Sequence, residues 1–211
     1  LDGPQRLLDA LPTEPTRAVL TSTTGVYGAS DGRWVTATTP PDPSRSTAAI
    51  VVDGEAALAH RIPTTVVRSA GIYGPGRRRL IDQVLTGAVG VTPGMPARWT
   101  NRVHRDDLAA ALALCVVHPN PPPVAIAVDN EPAPRDDVLT WSAEQVRVDL
   151  GPAPSPLAPT PRPYHLACLV LYVMVSYAPS RLGGSPRAYH LGFLVLARVR
   201  VCGPGGGGGG A

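Results

Sequence analysis

The sequence predicts an α/β fold of the doubly wound type, and two patterns carry the prediction. Short apolar, β-branched runs alternate with helical segments as far as residue 150, the signature of a parallel sheet covered by helices. Two of those runs, Arg17 to Thr24 and Thr64 to Ala70, are bounded by turn residues, and the second is entered directly from a helix. Strands connected in that way pair in parallel through a right-handed crossover.

The elements follow in order. Gly3 to Leu11 reads as a short amphipathic helix, with Leu7, Leu8 and Leu11 on one face and Pro12 as its stop. Arg17 to Thr24 is the first buried strand, and a Pro-rich loop around TTPPDP leads to a helix from Ser46 to His60. Its apolar positions Ala49, Val52, Ala56 and Ala59 recur at helical spacing, and Pro63 marks the next boundary. Thr64 to Ala70 is the second buried strand. Beyond it, Arg77 to Leu85 reads as helix and Arg98 to His104 as extended chain. Asp106 to Val117 reads as an apolar helix whose first-turn acids, Asp106 and Asp107, favour the N-terminus through the macrodipole. Val124 to Val128 is a short strand and Arg135 to Leu150 a last helix.

Composition divides the chain in two. The 25 prolines and 22 glycines are unevenly spread, and no Asp or Glu occurs from Ser155 onward. The tail carries only Arg162, Arg181, Arg187, Arg198 and Arg200, a charge of +5, against −2 for the body. The basic balance thus belongs to the tail, which argues against a nucleic-acid partner for the protein as a whole. The predicted organisation is one domain over residues 1–154 and a Pro/Gly/Arg-rich tail over 155–211, disordered or without a native fold. A membrane-surface or partner-binding hairpin is the alternative for the tail. In it PRPYHLACLVL, from Pro161, returns as PRAYHLGFLVL from Pro186, and two copies match no common solenoid period. Its apolar run, Leu166 to Ala178, is shorter than the roughly 20 residues a membrane span needs, so no membrane partner is expected.

All nineteen basic residues are arginine. With no lysine, a Schiff-base lysine, a P-loop lysine and a Tyr-x-x-x-Lys proton relay are all excluded. Cys115, Cys168 and Cys202 are odd in number and widely spaced, which suits a reduced, cytoplasmic location, and no Cys/His metal site is expected. No secretory signal is readable in the first residues.

Three segments could carry chemistry. Ser22-Thr23-Thr24-Gly25-Val26-Tyr27-Gly28 ends the first strand, where doubly wound sheets bind ligands. Its glycines do not make a dinucleotide fingerprint, because a Pro-studded loop follows instead of a helix. Arg68-Ser69-Ala70-Gly71-Ile72-Tyr73-Gly74-Pro75-Gly76 ends the second strand and leads into a helix opened by Arg77, Arg78 and Arg79. An anion could meet backbone N–H groups and guanidinium there, although a turn with solvated arginines is the plainer reading. Asn101-Arg102-Val103-His104-Arg105-Asp106-Asp107 joins extended chain to a helix, and a lone His there is more often structural than a base.

In this order STTGVYG, RSAGIYGPG and NRVHRDDLAAAL resemble the extended short-chain dehydrogenase/reductase superfamily, epimerase/dehydratase branch, over about residues 1–156. The resemblance implies the C-terminal half of a Rossmann-type sheet with a small substrate-binding portion, the first two motifs lying on its fifth and sixth strands. It implies NAD or NADP as cofactor and a small-molecule, sugar-like substrate. Thr23 then falls where the family hydrogen-bonds the reacting oxygen. Ser22, Ser69, Ala70 and Ile72 fall along the cofactor, and Tyr27, Asn101 and Arg102 near the substrate.

The departures matter as much. The family's glycine-rich strand–turn–helix and first four strands would precede Leu1, and its Tyr and Lys positions hold Thr47 and Val51. The resemblance is therefore closest to atypical members without the usual base, whose loss typically costs ~10² to 10⁴ in rate. It implies an oxidoreductase or epimerase, with this chain alone binding dinucleotide poorly or not at all and inactive by itself. A non-catalytic nucleotide-binding or regulatory protein of the same fold, or a non-functional fragment, are the alternatives. A half sheet with an unpaired edge is also expected to self-associate.

Overall fold

The computed structural model describes residues 3–28, 31–42, 44, 46–153, 172–175 and 199–202. In chain order the elements are α1 (Gly3–Asp9), β1 (Arg17–Thr23), a single 3-10 turn (Thr24–Tyr27), β2 (Asp31–Val35), α2 (Ser46–Arg61), β3 (Thr64–Ser69) and β4 (Gly71–Tyr73). There follow α3 (Arg79–Leu85), β5 (Trp99–Thr100), β6 (Arg102–His104), α4 (Arg105–Val117), β7 (Val124–Ala127), β8 (Ala133–Pro134), α5 (Arg135–Val146), β9 (Tyr172–Val175) and β10 (Val199–Cys202).

The principal sheet has the order β7-β3-β1-β9. β1 and β3 pair in parallel from Ala18↔Thr64 to Thr23↔Ser69, and β3 and β7 from Val66↔Val124 to Ser69↔Ala127. This is part of a doubly wound, Rossmann-type sheet, as the alternating runs predicted. Three two-stranded sheets accompany it: β4-β6 parallel, β5-β8 antiparallel and β10-β2 antiparallel.

The apolar runs are continuous because the central strands are covered on both faces. One face carries Val19, Val67, Ala125 and Ala127 against Leu108 and Leu112 of α4. The other carries Ala18, Leu20 and Val66 against Leu58 and Ile62, with Leu8 of α1 closing the layer. A third cluster, Val26, Tyr27, Val35, Ala70, Ile126 and Val128, seals the carboxyl end of the sheet. Each fully buried Leu or Val contributes about 1.5–3 kcal/mol of burial free energy.

Several expectations are corrected in detail. α3 begins at Arg79 rather than Arg77, because Gly74 to Arg77 forms a closed turn, with Arg77 N–H donating to Gly74 O at 2.8 Å. α5 ends at Val146 rather than Leu150, because Arg147 turns left-handed at φ 55° and donates its N–H to the carbonyls of Ala143 and Glu144. The extended run from Arg98 serves two sheets, β5 pairing with β8 and β6 with β4. β2 and β4 had no readable signal: each is short and is set by its pairing partner.

The expected unpaired edge is also corrected at β1, where Arg17–Leu20 pair antiparallel with Tyr172–Val175 of the tail. The tail repeat, residues 161–171 and 186–196, lies outside the described residues. Among the described residues no helix is long and apolar enough to cross a membrane, and no His/Cys/Asp/Glu group could hold a metal ion.

Candidate functional site at the carboxyl end of the sheet

The ends of β1, β3, β6 and β7 meet in one hydrogen-bonded shelf. Thr23 lies opposite Ser69 across the β1–β3 ladder. Ala70 N–H donates to Ala127 O at 3.0 Å, and Gly71 N–H to Asn101 O at 3.1 Å, with Gly71 opposite Arg102. Asp129 N–H closes the row on Arg102 O at 2.6 Å. Thr23, Ala70 and Arg102, separated by dozens of residues in sequence, are therefore neighbours at the end where doubly wound sheets bind ligands.

Beneath the shelf lies a buried polar network. Arg68 donates to Glu55 through Nη2 at 2.7 Å and Nε at 3.2 Å, and both side chains are over nine-tenths buried. Arg68 Nη1 also donates to the Tyr27 hydroxyl at 3.0 Å, and that hydroxyl donates to Thr36 O at 3.2 Å. The Ser22 hydroxyl donates to Glu55, and the Ser69 hydroxyl to Ser22 O at 3.0 Å. Burial is the largest influence on Arg68 and works against its charge. The bonds with Glu55 and Tyr27 outweigh it and hold the guanidinium above its ordinary range. The network ties α2, β1, β3 and the 3-10 turn together below Thr23.

Thr23 itself caps the 3-10 turn, its Oγ1 accepting from Gly25 N–H at 3.1 Å. Among the described residues its hydroxyl hydrogen has no recorded protein acceptor, so it can donate to a ligand. Gly28 ends that turn at φ 70°, where a Cβ would stand 2.4 Å from an Asp42 carboxylate oxygen, so only glycine fits. The segment then runs into β2, not an α-helix, in keeping with the absence of a dinucleotide fingerprint here.

Around β4 and β6 the polar groups are more open. Tyr73, 45% exposed, meets His104 edge to face at 5.3 Å. His104 Nδ1 accepts from Asp106 N–H at 3.3 Å and so caps α4. Gly74, at φ 131°, passes so close to His104 that a Cβ would lie 2.8 Å from Nε2. Burial pushes Arg102 below its ordinary range, opposed by Asp129 and Tyr73, and pushes Asp129 above its own. The mutual attraction of this half-buried pair thus falls short of its desolvation, which leaves room for a polar ligand to improve it. An apolar cleft of about 490 Å³ between α4 and β7 touches His104 and Asp129, but Thr23, Ala70 and Arg102 do not line it. Arg77, Arg78 and Arg79 line only a shallow depression beside the seven-residue α3.

The sequence-derived residues are distributed unevenly. Thr23, Ala70, Asn101 and Arg102 come together on the shelf. Ser22 and Ser69 border it, but their hydroxyls turn down into the network. Ile72 is half-buried against the α4-side core. Tyr27 is placed differently from the expectation of a substrate contact: it is 5% exposed and bonded to Arg68 and Thr36. Thr47 is exposed in the first turn of α2, and Val51 packs against the carboxyl-end core. Sequence reading missed Glu55, Arg68 as an ion-pair member, and Asp129. A signal for the pair existed: an arginine inside the apolar run TTVVRS, buried on both faces, requires an acid partner.

The fold defines a class: an α/β domain built on part of a Rossmann-type parallel sheet. No family model matches the chain, and no curated protein does. Solved structures do. A protein described as an NAD-dependent epimerase/dehydratase from Methylobacillus flagellatus is 35% identical, with TM-score 0.52, over 69% of this chain and 51% of that one. A functionally unknown conserved protein from Silicibacter pomeroyi is 34% identical, with TM-score 0.55, over 67% and 51%. The UDP-glucose 4-epimerase of Thermus thermophilus, in complex with NAD, shares the fold at 24% identity and TM-score 0.53, over 64% and 51%. In sequence and fold the chain is thus similar to NAD-dependent epimerase/dehydratase structures of the short-chain dehydrogenase/reductase superfamily, and it spans about half their length.

Proposed function

We propose that this chain forms the substrate-side half of an NAD(P)-dependent oxidoreductase or epimerase acting on a small, sugar-like substrate. One observation carries the reading: the Thr23 hydroxyl, which donates to none of the described residues, sits on the same shelf as Ala70 and Arg102. In this role Thr23 donates to the reacting oxygen, where charge develops during hydride transfer, and Asn101 and Arg102 hold the polar body of the substrate. In this reading the nicotinamide ring lies along the strand end that carries Ala70, with the Ser22 and Ser69 hydroxyls turned away from it. Bound there, the cofactor would supply or accept hydride. Glu55, Arg68 and Tyr27 position the shelf without touching ligand.

The test joins the chain to the half of the M. flagellatus relative that it does not span and follows NADH oxidation with sugar-nucleotide substrates. Thr23→Val is expected to lower kcat by about 10² to 10³ with little change in cofactor affinity. Equal turnover by both forms would remove Thr23 from the chemistry. A second reading, a non-catalytic binding protein of the same fold, is favoured by Thr47 and Val51 in place of the Tyr/Lys pair. It requires that the joined protein bind NADH and remain inert.

A further inference from the structure

The seam between α4 and β7 is not filled by the side chains that form it. Towards β1 and β3, Leu108 and Leu112 close the layer against Val19 and Val67. Towards β7 the lining residues are small: Ala110, Ala111 and Cys115 on the helix, Ala125 and Ala127 on the strand. Their short side chains leave the cleft of about 490 Å³, with Pro121 and Pro122 at the end where the chain leaves α4. Protein interiors hold few voids larger than a water molecule, so an opening of this size sets the seam apart.

We propose that this cleft is a binding site for a small amphipathic cation, an organic amine with an apolar body, whose charged head is taken by Asp107 and Asp129. Such a site lies outside the functional reading above, and neither depends on the other.

Sites for small organic ligands are concave, of about 300–1,000 Å³, mostly apolar, and furnished with a few polar groups that fix orientation. Here Ala, Val, Leu, Ile and Cys side chains form the walls. His104, Asp107, Asp129 and Asn130 gather at one end, where α4 begins and β7 has ended. His118 stands at the other end and turns its Nδ1 to the Asn120 N–H at 3.1 Å. An apolar body therefore has walls to cover, and a polar head has a defined end to reach.

Charge selects that head. Among the described residues the lining carries two carboxylates and no arginine, in a chain whose nineteen basic residues are all arginine. The arginines nearby are engaged elsewhere: Arg105 with Asp106 and Pro75 O, and Arg17 with the carbonyls of His118 and Pro119. Asp107 makes no hydrogen bond or ion pair with the described residues, and the Asp129 carboxylate accepts from Glu131 N–H at 3.3 Å. Burial is the strongest influence on Asp129 and keeps its carboxyl above the ordinary range in spite of Arg102 on the shelf side. A cation placed against it offsets that desolvation, whereas an anion adds to it. No His/Cys/Asp/Glu group among the described residues could hold a metal ion, and an inorganic cation would leave the apolar walls uncovered.

Tryptamine, tryptophol and indolepropionate share one apolar body and carry a cationic, a neutral and an anionic head at neutral pH. Each is titrated into the full chain and followed by amide-resolved NMR. Tryptamine should bind saturably, with shifts centred on the amides of Ala110, Ala111, Cys115, Ala125 and Ala127. Its Kd should lie at least about tenfold below that of tryptophol, and indolepropionate should bind more weakly than either. Asp107→Asn, a change at an exposed position, should weaken tryptamine at least about threefold and leave tryptophol unchanged. Ala111→Phe should fill the cleft and abolish binding of both. Should that variant fail to fold, the Asp107→Asn comparison stands by itself.

Absence of saturable binding by all three compounds overturns the site. Equal affinity for the amine and the alcohol overturns the cationic occupant, and shifts centred elsewhere overturn the cleft. Unchanged tryptamine binding by the Asp107→Asn chain overturns the pairing. No cofactor and no first half enter the measurement, so its failure is distinguishable from failure of the Thr23 assay.

Discussion

At the ends of β1 and β3, Ser22, Tyr27, Glu55, Arg68 and Ser69 turn their polar atoms inward and spend them on each other. At β4 and β6, Tyr73, Arg102, His104 and Asp129 keep theirs half-exposed and only partly matched. The first group is rigid by construction, since every polar atom displaced from it would be buried without a partner. The second can exchange solvent for ligand at little cost. The contrast separates the residues that fix the site from those that can recognise something in it, although all belong to adjoining strand ends.

The largest expected effect tests the inward group. Glu55→Ala leaves the Arg68 charge buried and unpaired and should destabilise the fold by about 3–5 kcal/mol, as read from urea unfolding. A loss below about 1 kcal/mol would mean that water enters the network and that the contrast is overstated. Tyr73→Leu tests the open group. It removes the edge-to-face contact with His104 and should cost only about 0.5–1.5 kcal/mol. A loss as large as that of Glu55→Ala would erase the distinction.

The smallest effect comes from a half-exposed carboxylate outside both groups. Asp136 accepts from Thr92 N–H at 2.7 Å and from the Thr92 hydroxyl at 2.8 Å, and pairs with Arg135 at 3.0 Å. Burial, its largest single influence, raises its affinity for a proton, but the Thr92 bonds and Arg135 together bring it below the usual carboxylate range. A carboxylate depressed in the folded state stabilises the fold at pH above its unfolded value, and the benefit is lost as pH falls through the folded value. Asp136→Asn should therefore lower thermal stability slightly at neutral pH, and the difference from the unaltered chain should close as pH falls through the folded value, which flattens the acid limb. An unaltered acid limb would show that the Thr92 bonds contribute nothing net.

Much of the site was legible as pieces. The runs RAVLTST and TTVVRS announce parallel strands because an apolar, β-branched run without alternation fits only a strand covered on both faces. Thr23, Ala70 and Arg102 are singled out by the resemblance of their motifs to the short-chain dehydrogenase/reductase superfamily, while their meeting at one end of the sheet is seen in the pairing of the strands. Tyr27 could not be placed, since STTGVYG reads the same whether its ring faces a cleft or the core. Its hydroxyl was decided by Arg68, 41 residues away in sequence.

By itself, then, the sequence determined the alternation of strands and helices, the absence of lysine chemistry and the three motifs. These depend on local pattern and composition, which a linear chain carries in full. Only the tertiary structure decided which hydroxyls point inward, that Glu55 answers Arg68, and that Tyr172–Val175 lies along β1. Those are pairings between distant segments, and their partners are selected by desolvation and hydrogen-bond geometry that exist only once the chain has folded.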